Sequence, residues 1–590
     1  MSTGMAPSPH MNRVAAIGFV IFIGALTAHG ADSVPQIIPT KGAPSGPRTG
    51  LILGQVVDET GAPVPEAIVQ MSMPKYLPEL TTTPKGRVMA DAEGRFFFSD
   101  LPAGDYFLRA NMEGYGGGGY GQRRATNSNR LFALAEGERR VDAKLTLWKF
   151  AVIGGTVLDE AGEPVIGVSV QALVSNVVAG RAAYNNGGTA NLNPDATTDD
   201  RGMFRLSRLM PGRYVIVVRS TLTTMPVGLL SPSNPDTALR NELFGAIAEM
   251  APLGQPRTQQ VGDYALLTLN RVLIPPAPSP AGRMEVYKTT YFPTATTASA
   301  ASTITVAAGE ERTDLKIGLR PAPAVRISGR LVTPDGTPPP PTSLRLVGEA
   351  AADVGEEGFE TVTGVSDASG RFTLLGVPAG EYVLKHASML ALFGLQGRQG
   401  WWMAQPVTVG TTDIQDLVVT LRPALRVAGR VEFRGVTASP PPVPVNPGMG
   451  FDTPFGEPGR FAGQMSNRRD GSFSTIAAGG QYIARPLEIG GWFVKSVTLD
   501  GKDITDRVFE LQSDATGFVV VYTDRASKVT GVVKDARGAA STTAVVLAFP
   551  ADAQRWTGDG WSPRNLKSAP VSLSSSPKTS GLSIPTVLKI

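Results

Sequence analysis

Apolar and polar residues alternate over short stretches along much of this 590-residue chain, which is the pattern of half-buried β-strands. The clearest unit is Asp91 to Tyr106, which predicts a turn, a strand, a tight Leu-Pro-Ala-Gly loop and the start of another strand. Similar units run from Asp200 to Tyr214, from Asp367 to Tyr382 and from Asp470 to Tyr482. In each turn, we expect Asp to bond its own backbone and Gly to take a positive φ angle. The tyrosine is expected to bury its ring and place its hydroxyl on a backbone group, as in the tyrosine corner of β-sandwiches.

A second repeated feature is an apolar opening strand that carries a glycine at an equivalent position near its centre. These glycines are Gly54, Gly155, Gly329, Gly429 and Gly531, at intervals of 101, 174, 100 and 102 residues. A fixed spacing of whole units indicates a tandem array. The sequence therefore predicts an all-β chain of successive sandwich modules, four complete and one partial.

The one long interval predicts an insertion, residues 221–286, in the second module. Within it, Asp236–Met250 has an acidic start and apolar residues at helical spacing, so we expect a helix there. The chain then divides into a signal peptide (1–30), a linker (31–49), module 1 (50–148), module 2 (149–322), module 3 (323–423), module 4 (424–525), a partial module 5 (526–562) and a disordered tail (563–590).

The first thirty residues have the composition of a secretory signal peptide. Arg13 precedes an apolar run, Val14–Ala28, that is shorter than the roughly 20 residues of a membrane-spanning helix. Ala28-His29-Gly30 fits a small-x-small cleavage site. We expect an exported protein that is periplasmic, cell-surface or extracellular, without a transmembrane helix in the mature chain, and monomeric.

Composition excludes several kinds of chemistry. The chain has no cysteine, which rules out disulfides, thiol nucleophiles and Cys-ligated metals. The formal net charge is only +4, with no dense basic stripe, so nucleic acid is not an expected partner. His10 and His29 leave with the signal peptide, and His386 alone can build neither a His-based zinc site nor, without a nucleophile motif, a Ser-His-Asp triad.

We therefore expect no catalytic residues, no metal and no cofactor. The acidic turns, such as Asp58-Glu59 and Asp91-Ala-Glu93, lack the alternating oxygen ligands of a calcium loop. Backbone-bonded turns are the favoured interpretation. Carboxylate pairs for glycoside hydrolysis have a spatial rather than a sequence spacing, so an unrecognised carboxylate-based hydrolase stays as one alternative.

The motifs resemble a known domain family. Gly-x-Val-x-Asp-x-x-Gly-x-Pro-Val, together with Asp-x-x-Gly-x-Phe and Leu-Pro-x-Gly-x-Tyr, is similar to the carboxypeptidase regulatory-like domain. The resemblance implies a transthyretin-like (prealbumin-like) β-sandwich, related to starch-binding-like folds. It also implies a non-catalytic accessory module of exported bacterial proteins. No peptidase domain accompanies the repeats, so peptidase activity does not carry over.

Aromatic clusters are the candidate binding residues. Trp401 and Trp402 follow Gly400 in module 3, and Tyr115 and Tyr120 bracket a glycine-rich stretch of module 1. Exposed rings on loops can stack on sugars, which predicts carbohydrate binding. Alternatively, one tryptophan caps the core and the other packs against the next module.

The leading functional hypothesis is a non-catalytic multi-module protein that binds polysaccharide or acts as a cell-envelope scaffold. The main alternative is an envelope protein–protein interaction or adhesion protein that docks its partner through edge strands or through the insertion 221–286.

Overall fold

The protein is all-β in fold class, as the alternating pattern predicts. The predicted signal peptide and the predicted helix at Asp236–Met250 lie outside the residues that are described. The computed structural model describes residues 49–73, 83–122, 125, 132–178, 181–185, 195–230, 257–268, 273–348, 351, 354, 359–386, 400–436, 449–452, 466–467, 471–486, 492–525, 537–539, 546–549 and 586–589.

Module 1 is a sandwich of two sheets. One sheet has the order β4-β1-β9, and the other has the order β3-β2-β5-β7 with β8 also on β5. The first strand pairs antiparallel with β4 and parallel with β9. The inner faces bury Ile52, Val69 and Tyr106 in one core. The strands are β1 (Gly50–Val57), β2 (Ile68–Met73), β3 (Thr83–Met89), β4 (Arg95–Leu101), β5 (Gly104–Asn111), β6 (Tyr115–Gly116), β7 (Gly118–Gly119), β8 (Phe132–Leu134), β9 (Arg139–Thr146) and β10 (Trp148–Lys149).

Module 2 repeats this plan and adds the insertion. Its sheets have the orders β15-β11-β23 and β13-β12-β16-β21, with β14 on β12 and β22 on β16. The elements are β11 (Ala151–Leu158), β12 (Ser169–Val178), β13 (Arg181–Asn185), β14 (Asp195–Thr197), β15 (Met203–Leu209), β16 (Gly212–Val218), β17 (Leu222–Pro226), α1 (Val227–Leu230), β18 (Arg257–Val261), β19 (Tyr264–Thr268), β20 (Glu285–Tyr287), β21 (Thr290–Tyr291), the 3₁₀ turn Ala298–Ala300, β22 (Ile304–Val306) and β23 (Glu311–Gly318).

Module 3 shares a sheet with module 2. Its first strand lies between β27 and β31, and its second sheet has the order β18-β19-β17-β26-β25-β28-β30. The first three strands of that order come from the insertion. The module's own strands are β24 (Pro321–Val332), β25 (Ser343–Gly348), β26 (Glu360–Val365), β27 (Arg371–Pro378), β28 (Gly380–His386), β29 (Trp401–Trp402), β30 (Ala404–Val409), β31 (Ile414–Thr420) and β32 (Arg422–Pro423).

Module 4 again has two sheets, ordered β35-β36-β33-β41-β38-β39 and β34-β37-β40. Beyond it, two strands pair in parallel, and the second of them lies inside the segment that the sequence predicts to be disordered. The elements are β33 (Leu425–Phe433), β34 (Met449–Asp452), β35 (Ser466–Asn467), β36 (Ser472–Ala477), β37 (Gly480–Pro486), β38 (Phe493–Leu499), β39 (Lys502–Asp503), β40 (Val508–Leu511), β41 (Ala515–Thr523), β42 (Val546–Phe549) and β43 (Thr586–Lys589).

The repeated glycine of each opening strand has a steric cause. In all four modules the opening strand pairs in parallel with the last long strand, and the register shifts just before this glycine. A Cβ atom there would overlap a carbonyl oxygen of the last long strand, so only glycine allows the two backbones to approach. The four glycines are Gly54, Gly155, Gly329 and Gly429.

The predicted tyrosine corner is confirmed in four modules. Each tyrosine hydroxyl donates to the backbone carbonyl four residues earlier, at 2.6 to 3.0 Å. Burial is the largest cause that raises the pKa of Tyr214 and of Tyr382, in each case to about 12. The hydroxyl therefore stays protonated and ties the loop to the following strand.

The acidic turns are also confirmed as backbone-bonded turns. Asp367 Oδ1 accepts hydrogen bonds from the amides of Ser369 and Arg371, at 2.8 and 2.9 Å, and Gly370 has a φ angle of 77°. The corresponding carboxylates, Asp58, Asp91, Asp159 and Asp199, bond turn amides in the same way.

Candidate functional site: the joints between modules

Three successive module boundaries are built in the same way. At each, a two- or three-residue strand of one module pairs antiparallel with the segment that leads into the next module. The paired strands are β6 with β10, β20 with the start of β24, and β29 with β32. The connections between modules 1, 2, 3 and 4 are therefore hydrogen-bonded strands.

One further hydrogen bond closes every joint. The amide that follows the connecting strand donates to the carbonyl that precedes the short strand. The three bonds run from Phe150 to Gly114 at 3.1 Å, from Ala324 to Met284 at 3.0 Å, and from Ala424 to Gly400 at 2.7 Å. Because the same bond recurs at equivalent positions, these joints are one structural device used three times.

Trp401 and Trp402 form the short strand of the joint between modules 3 and 4. Trp401 is half-buried and packs against the core of module 3. The indole Nε1 of Trp402 donates to the carbonyl of Pro423 at 3.0 Å, and the Arg422 guanidinium lies 5.3 Å from its ring centre. A Cβ on Gly479 of module 4 would lie 2.5 Å from the Trp402 ring, so that ring packs on the next module.

Tyr115 and Tyr120 both lie in module 1, and Tyr115 is part of the joint between modules 1 and 2. Tyr115 lies in β6, paired with Lys149, and packs against the module 1 core. Tyr120 also packs against that core and makes an edge-on contact with Phe132, with ring centres 4.7 Å apart. The structure therefore places the four predicted aromatic residues in two separate modules.

At the joint between modules 1 and 2, the tryptophan lies in the connecting strand and not in the short strand. Trp148, in β10, is buried and pairs with Gly116, which contacts Met210 of module 2. In the third joint, the equivalent pair is Arg422 with Trp402. Sequence reasoning missed Trp148, although its place just after the last long strand of module 1 was a usable signal.

The joint between modules 2 and 3 has a much larger interface. Strand β17 of the insertion pairs in parallel with β26 of module 3. Thr224 Oγ1 accepts a hydrogen bond from the amide of Leu375 at 2.9 Å, and Thr221 Oγ1 donates to the carbonyl of Glu360 at 2.7 Å. Leu222 and Leu266, both almost fully buried, belong to the module 3 core. The insertion thus completes module 3.

A second apolar cluster joins the same two modules. It combines Val215 and Val217 of β16 with Val347 and Phe359 of module 3. The Arg219 guanidinium lies 5.7 Å from the Phe359 ring centre, and burial lowers the pKa of that arginine. The unbroken apolar run of β16 was the available sequence signal, because a strand buried on both faces does not alternate.

Other candidate chemistry is sparse in the described part of the chain. It contains no group of three His, Asp or Glu side chains arranged to hold a metal ion. His386 is half-buried at the end of β28, and burial lowers its pKa to about 4, so it is neutral at pH 7. None of the helices in these residues has the length and hydrophobicity of a membrane span.

Comparison with solved structures finds bacterial pilins at low overall similarity. A streptococcal ancillary pilin is 13% identical, with 63% of this chain and 98% of that chain covered, at a TM-score of 0.19. The minor pilin of Streptococcus agalactiae is 12% identical, with 46% and 97% covered, at 0.20. The major pilin subunit of Bacillus cereus is 10% identical, with 63% and 99% covered, at 0.15.

Overall similarity this low gives no information about how this chain works. No curated protein sequence matches the chain. Residues 52–140 match the family model described as "Carboxypeptidase regulatory-like domain", which confirms for module 1 the resemblance seen in its sequence motifs.

Proposed function

We propose that the protein is a non-catalytic, exported scaffold of the cell envelope, in which four β modules are held in a fixed succession. The observation that carries this proposal is the joint, which repeats a short strand ladder and the same backbone hydrogen bond at three boundaries. Flexible linkers are rich in glycine and serine and leave their backbone to solvent. These connections instead have paired backbones and packed rings, which suits a protein that sets distances between its ends.

The charged groups support a non-catalytic role. A general acid at neutral pH needs a carboxyl group with a raised pKa. In the described residues, each carboxyl group with a resolved shift has a lowered pKa, because it accepts hydrogen bonds or faces an arginine. The buried Glu360 has its Oε1 3.6 Å from Arg345 Nη1. This pattern favours structural carboxylates over a hydrolase pair.

The test is to free one joint without touching a module core. Insertion of Gly-Gly-Ser-Gly after Pro423 separates β32 from module 4, and small-angle X-ray scattering then reports flexibility. The matched control is the same insertion after Gly336, an exposed turn with a φ angle of 83° and no neighbour within 4 Å of an added Cβ. We expect a flexible scattering profile from the joint insertion only. A flexible wild type, or equal profiles from both insertions, would contradict the scaffold.

Polysaccharide binding at the Trp401–Trp402 strand is the second candidate. Each of these side chains is only half-buried, so ring surface remains for stacking on a sugar. The test is a glycan array with residues 31–562 and with the variant Trp401→Ala/Trp402→Ala. The joint insertion after Pro423 is the control, because it loosens the joint and keeps both rings. Binding that only the tryptophan variant loses would support this candidate, and no binding to any glycan would end it.

Docking of an envelope protein on the insertion, residues 221–286, is best tested with substitutions and not by deletion of the insertion. Removing residues 221–286 would expose the module 3 core, since β17 and β19 are part of its sheet. Gln259 and Gln260 of β18 are exposed at the outer edge of that sheet. Their replacement by lysine would block an added strand and leave the core intact.

A further inference from the structure

The outer face of the larger module 4 sheet carries a cleft of about 380 Å³. It crosses strands β36, β33 and β41, on the side away from the module core. Its lining includes Arg426, Ala428 and Arg430 of β33, Ser474 of β36 and Thr516 of β41. The cleft lies outside the joints described above.

The shape of the cleft follows from strand geometry. Side chains at alternate positions of a strand share a face, so Arg426, Ala428 and Arg430 all point outward. Ala428 pairs with Ser474 across the ladder, and Thr516 lies beside the register shift on the other side. These three small side chains form the floor. The two arginines lie about 13 Å apart along the strand and form the ends.

The electrostatics of the cleft favour an anion. Arg426 is exposed, and its guanidinium has no ion-pair partner among the described residues. The Nε and Nη2 atoms of Arg430 lie 3.0 and 2.9 Å from Glu432 Oε1. The other oxygen of Glu432 lies 2.6 Å from Arg434 Nη2. One carboxylate is thus shared by two arginines, and the face keeps an excess of positive charge.

The equivalent faces of the other modules differ. Module 1 has Leu51 and Gln55 at the two arginine positions, and module 2 has Val152 and Thr156. Module 3 does have two arginines, Arg326 and Arg330. There, however, Asp413 Oδ2 lies 4.0 Å from Arg326 Nε. In module 4 the corresponding acid, Asp514, accepts the backbone amide of Arg426 at 2.9 Å, as Asp413 accepts that of Arg326, but among the described residues it forms no ion pair with the Arg426 guanidinium.

We propose that this cleft binds an extended segment of an acidic polysaccharide. A guanidinium such as that of Arg426 binds a carboxylate through two parallel hydrogen bonds. Glu432 occupies Nε and Nη2 of Arg430, so that arginine offers Nη1 and its positive charge to a second acid group along the polymer. Hydroxyl side chains between the two arginines suit the hydroxyl groups of the sugar. The lining of the cleft contains neither Trp401 nor Trp402, so this proposal does not rest on the scaffold function or on sugar stacking at those two residues.

The test uses polygalacturonate and its methyl ester, which share a backbone and differ in charge. Isothermal titration calorimetry measures the affinity of the full mature chain for each of the two polymers. The same titrations are repeated with the variant Arg426→Gln/Arg430→Gln. The matched control is Arg326→Gln/Arg330→Gln, which removes the same charge from module 3. We expect the module 4 variant to lose at least about tenfold in affinity, since hydrogen bonds to charged groups are the stronger class. The control is expected to bind like the wild type.

Several results would overturn the proposal. They are equal binding of the methyl ester, unchanged affinity in Arg426→Gln/Arg430→Gln, and an equal loss in the module 3 control. Equal affinity for inorganic polyphosphate would also overturn it, because it would show a general polyanion surface. Circular dichroism of each variant checks that the modules stay folded.

Discussion

The joint between modules 2 and 3 and the joint between modules 3 and 4 use the same short ladder, yet they bury very different surfaces. At the first, the insertion adds three strands to the module 3 sheet and places Leu222 in its core. At the second, contact centres on Trp402, which packs on Gly479 and bonds Pro423. The joint between modules 3 and 4 therefore combines a short ladder with one packed ring, whereas the joint between modules 2 and 3 adds donated strands and shared core residues.

This difference predicts two kinds of unfolding. Modules 2 and 3 share buried apolar surface and main-chain pairing, so we expect them to lose structure together. Modules 3 and 4 share little core, so each is expected to unfold with its own stability. The substitutions below test this contrast, from the largest expected effect to the smallest.

Leu222→Ala should have the largest effect. It removes a buried side chain that module 2 contributes to module 3, and a large-to-small change in a core costs about 2–5 kcal/mol. We expect hydrogen exchange to speed up in β25 and β26 of module 3. The control is Ile274→Ala in the same insertion, 50% exposed, which should change stability by less than about 0.5 kcal/mol. Unchanged protection of β26 in Leu222→Ala would show that the donated strand is dispensable.

Acid should weaken module 3 through His386. Its pKa is lowered by burial to about 4, against about 6.5 in an unfolded chain. The unfolded chain therefore binds the proton first, and this contribution is complete above pH 6.5 and is lost as the pH falls toward 4. We expect a loss on the order of 1–3 kcal/mol across that window.

Urea unfolding at several pH values between 5 and 6.5 measures the free energy of unfolding, and hydrogen exchange in β28 assigns the change to module 3. His386→Gln should flatten the dependence on pH. The same slope in the variant would assign it to other groups. Because modules 2 and 3 are coupled, module 2 should follow the change, and module 4 should not.

Gly479→Ala should disturb the joint between modules 3 and 4. The added methyl group would lie 2.5 Å from the Trp402 ring, and such overpacking costs about 1–3 kcal/mol. We expect faster exchange of the Ala424 amide, which closes this joint. Gly410→Ala is the control, because nothing lies within 4 Å of its added Cβ. Equal protection of Ala424 in both variants would mean that the ring contact does not hold the joint.

The tyrosine corners should give the smallest effects. Tyr382→Phe and Tyr482→Phe each remove the hydroxyl bond to the corner carbonyl, worth about 0.5–1.5 kcal/mol. The bond is 2.7 Å long in module 3 and 3.0 Å in module 4, so we expect the larger loss for Tyr382. Hydrogen exchange in β28 and β37 measures each. A larger loss for Tyr482 would reverse the expected order.

Local features were predictable from the sequence because local interactions determine them. The turn at Asp367–Gly370 needs only an Asp side chain and a residue that tolerates a positive φ angle. The corner at Tyr382 spans four residues. The spacing of Gly54 and its equivalents predicted where each module begins. The reason why these positions need glycine could not be predicted, because the parallel strand that approaches Gly54 lies about 90 residues later in the chain.

The joints and the donated strand could not be predicted in the same way. Thr224 lies 151 residues from Leu375, its hydrogen-bond partner in module 3. The residues around Thr224 in the sequence do not indicate that its strand joins the module 3 sheet. The sequence predicted that Trp401 and Trp402 bind carbohydrate or, alternatively, that one caps the core and the other packs against the next module. Trp402 packs on Gly479, yet both tryptophans keep some exposed surface. Sugar binding by these rings therefore stays a prediction.

The most direct test of a fixed joint is a distance measurement across it. The chain has no cysteine, so Thr412→Cys in module 3 and Lys502→Cys in module 4, both exposed, can carry a pair of spin labels. Pulsed electron paramagnetic resonance then gives the distribution of distances between the labels. We predict one narrow distribution for the labelled protein and a broad one after Trp402→Ala. A broad distribution with Trp402 intact, or an equally narrow one without it, would contradict the joint as the device that holds the modules in place.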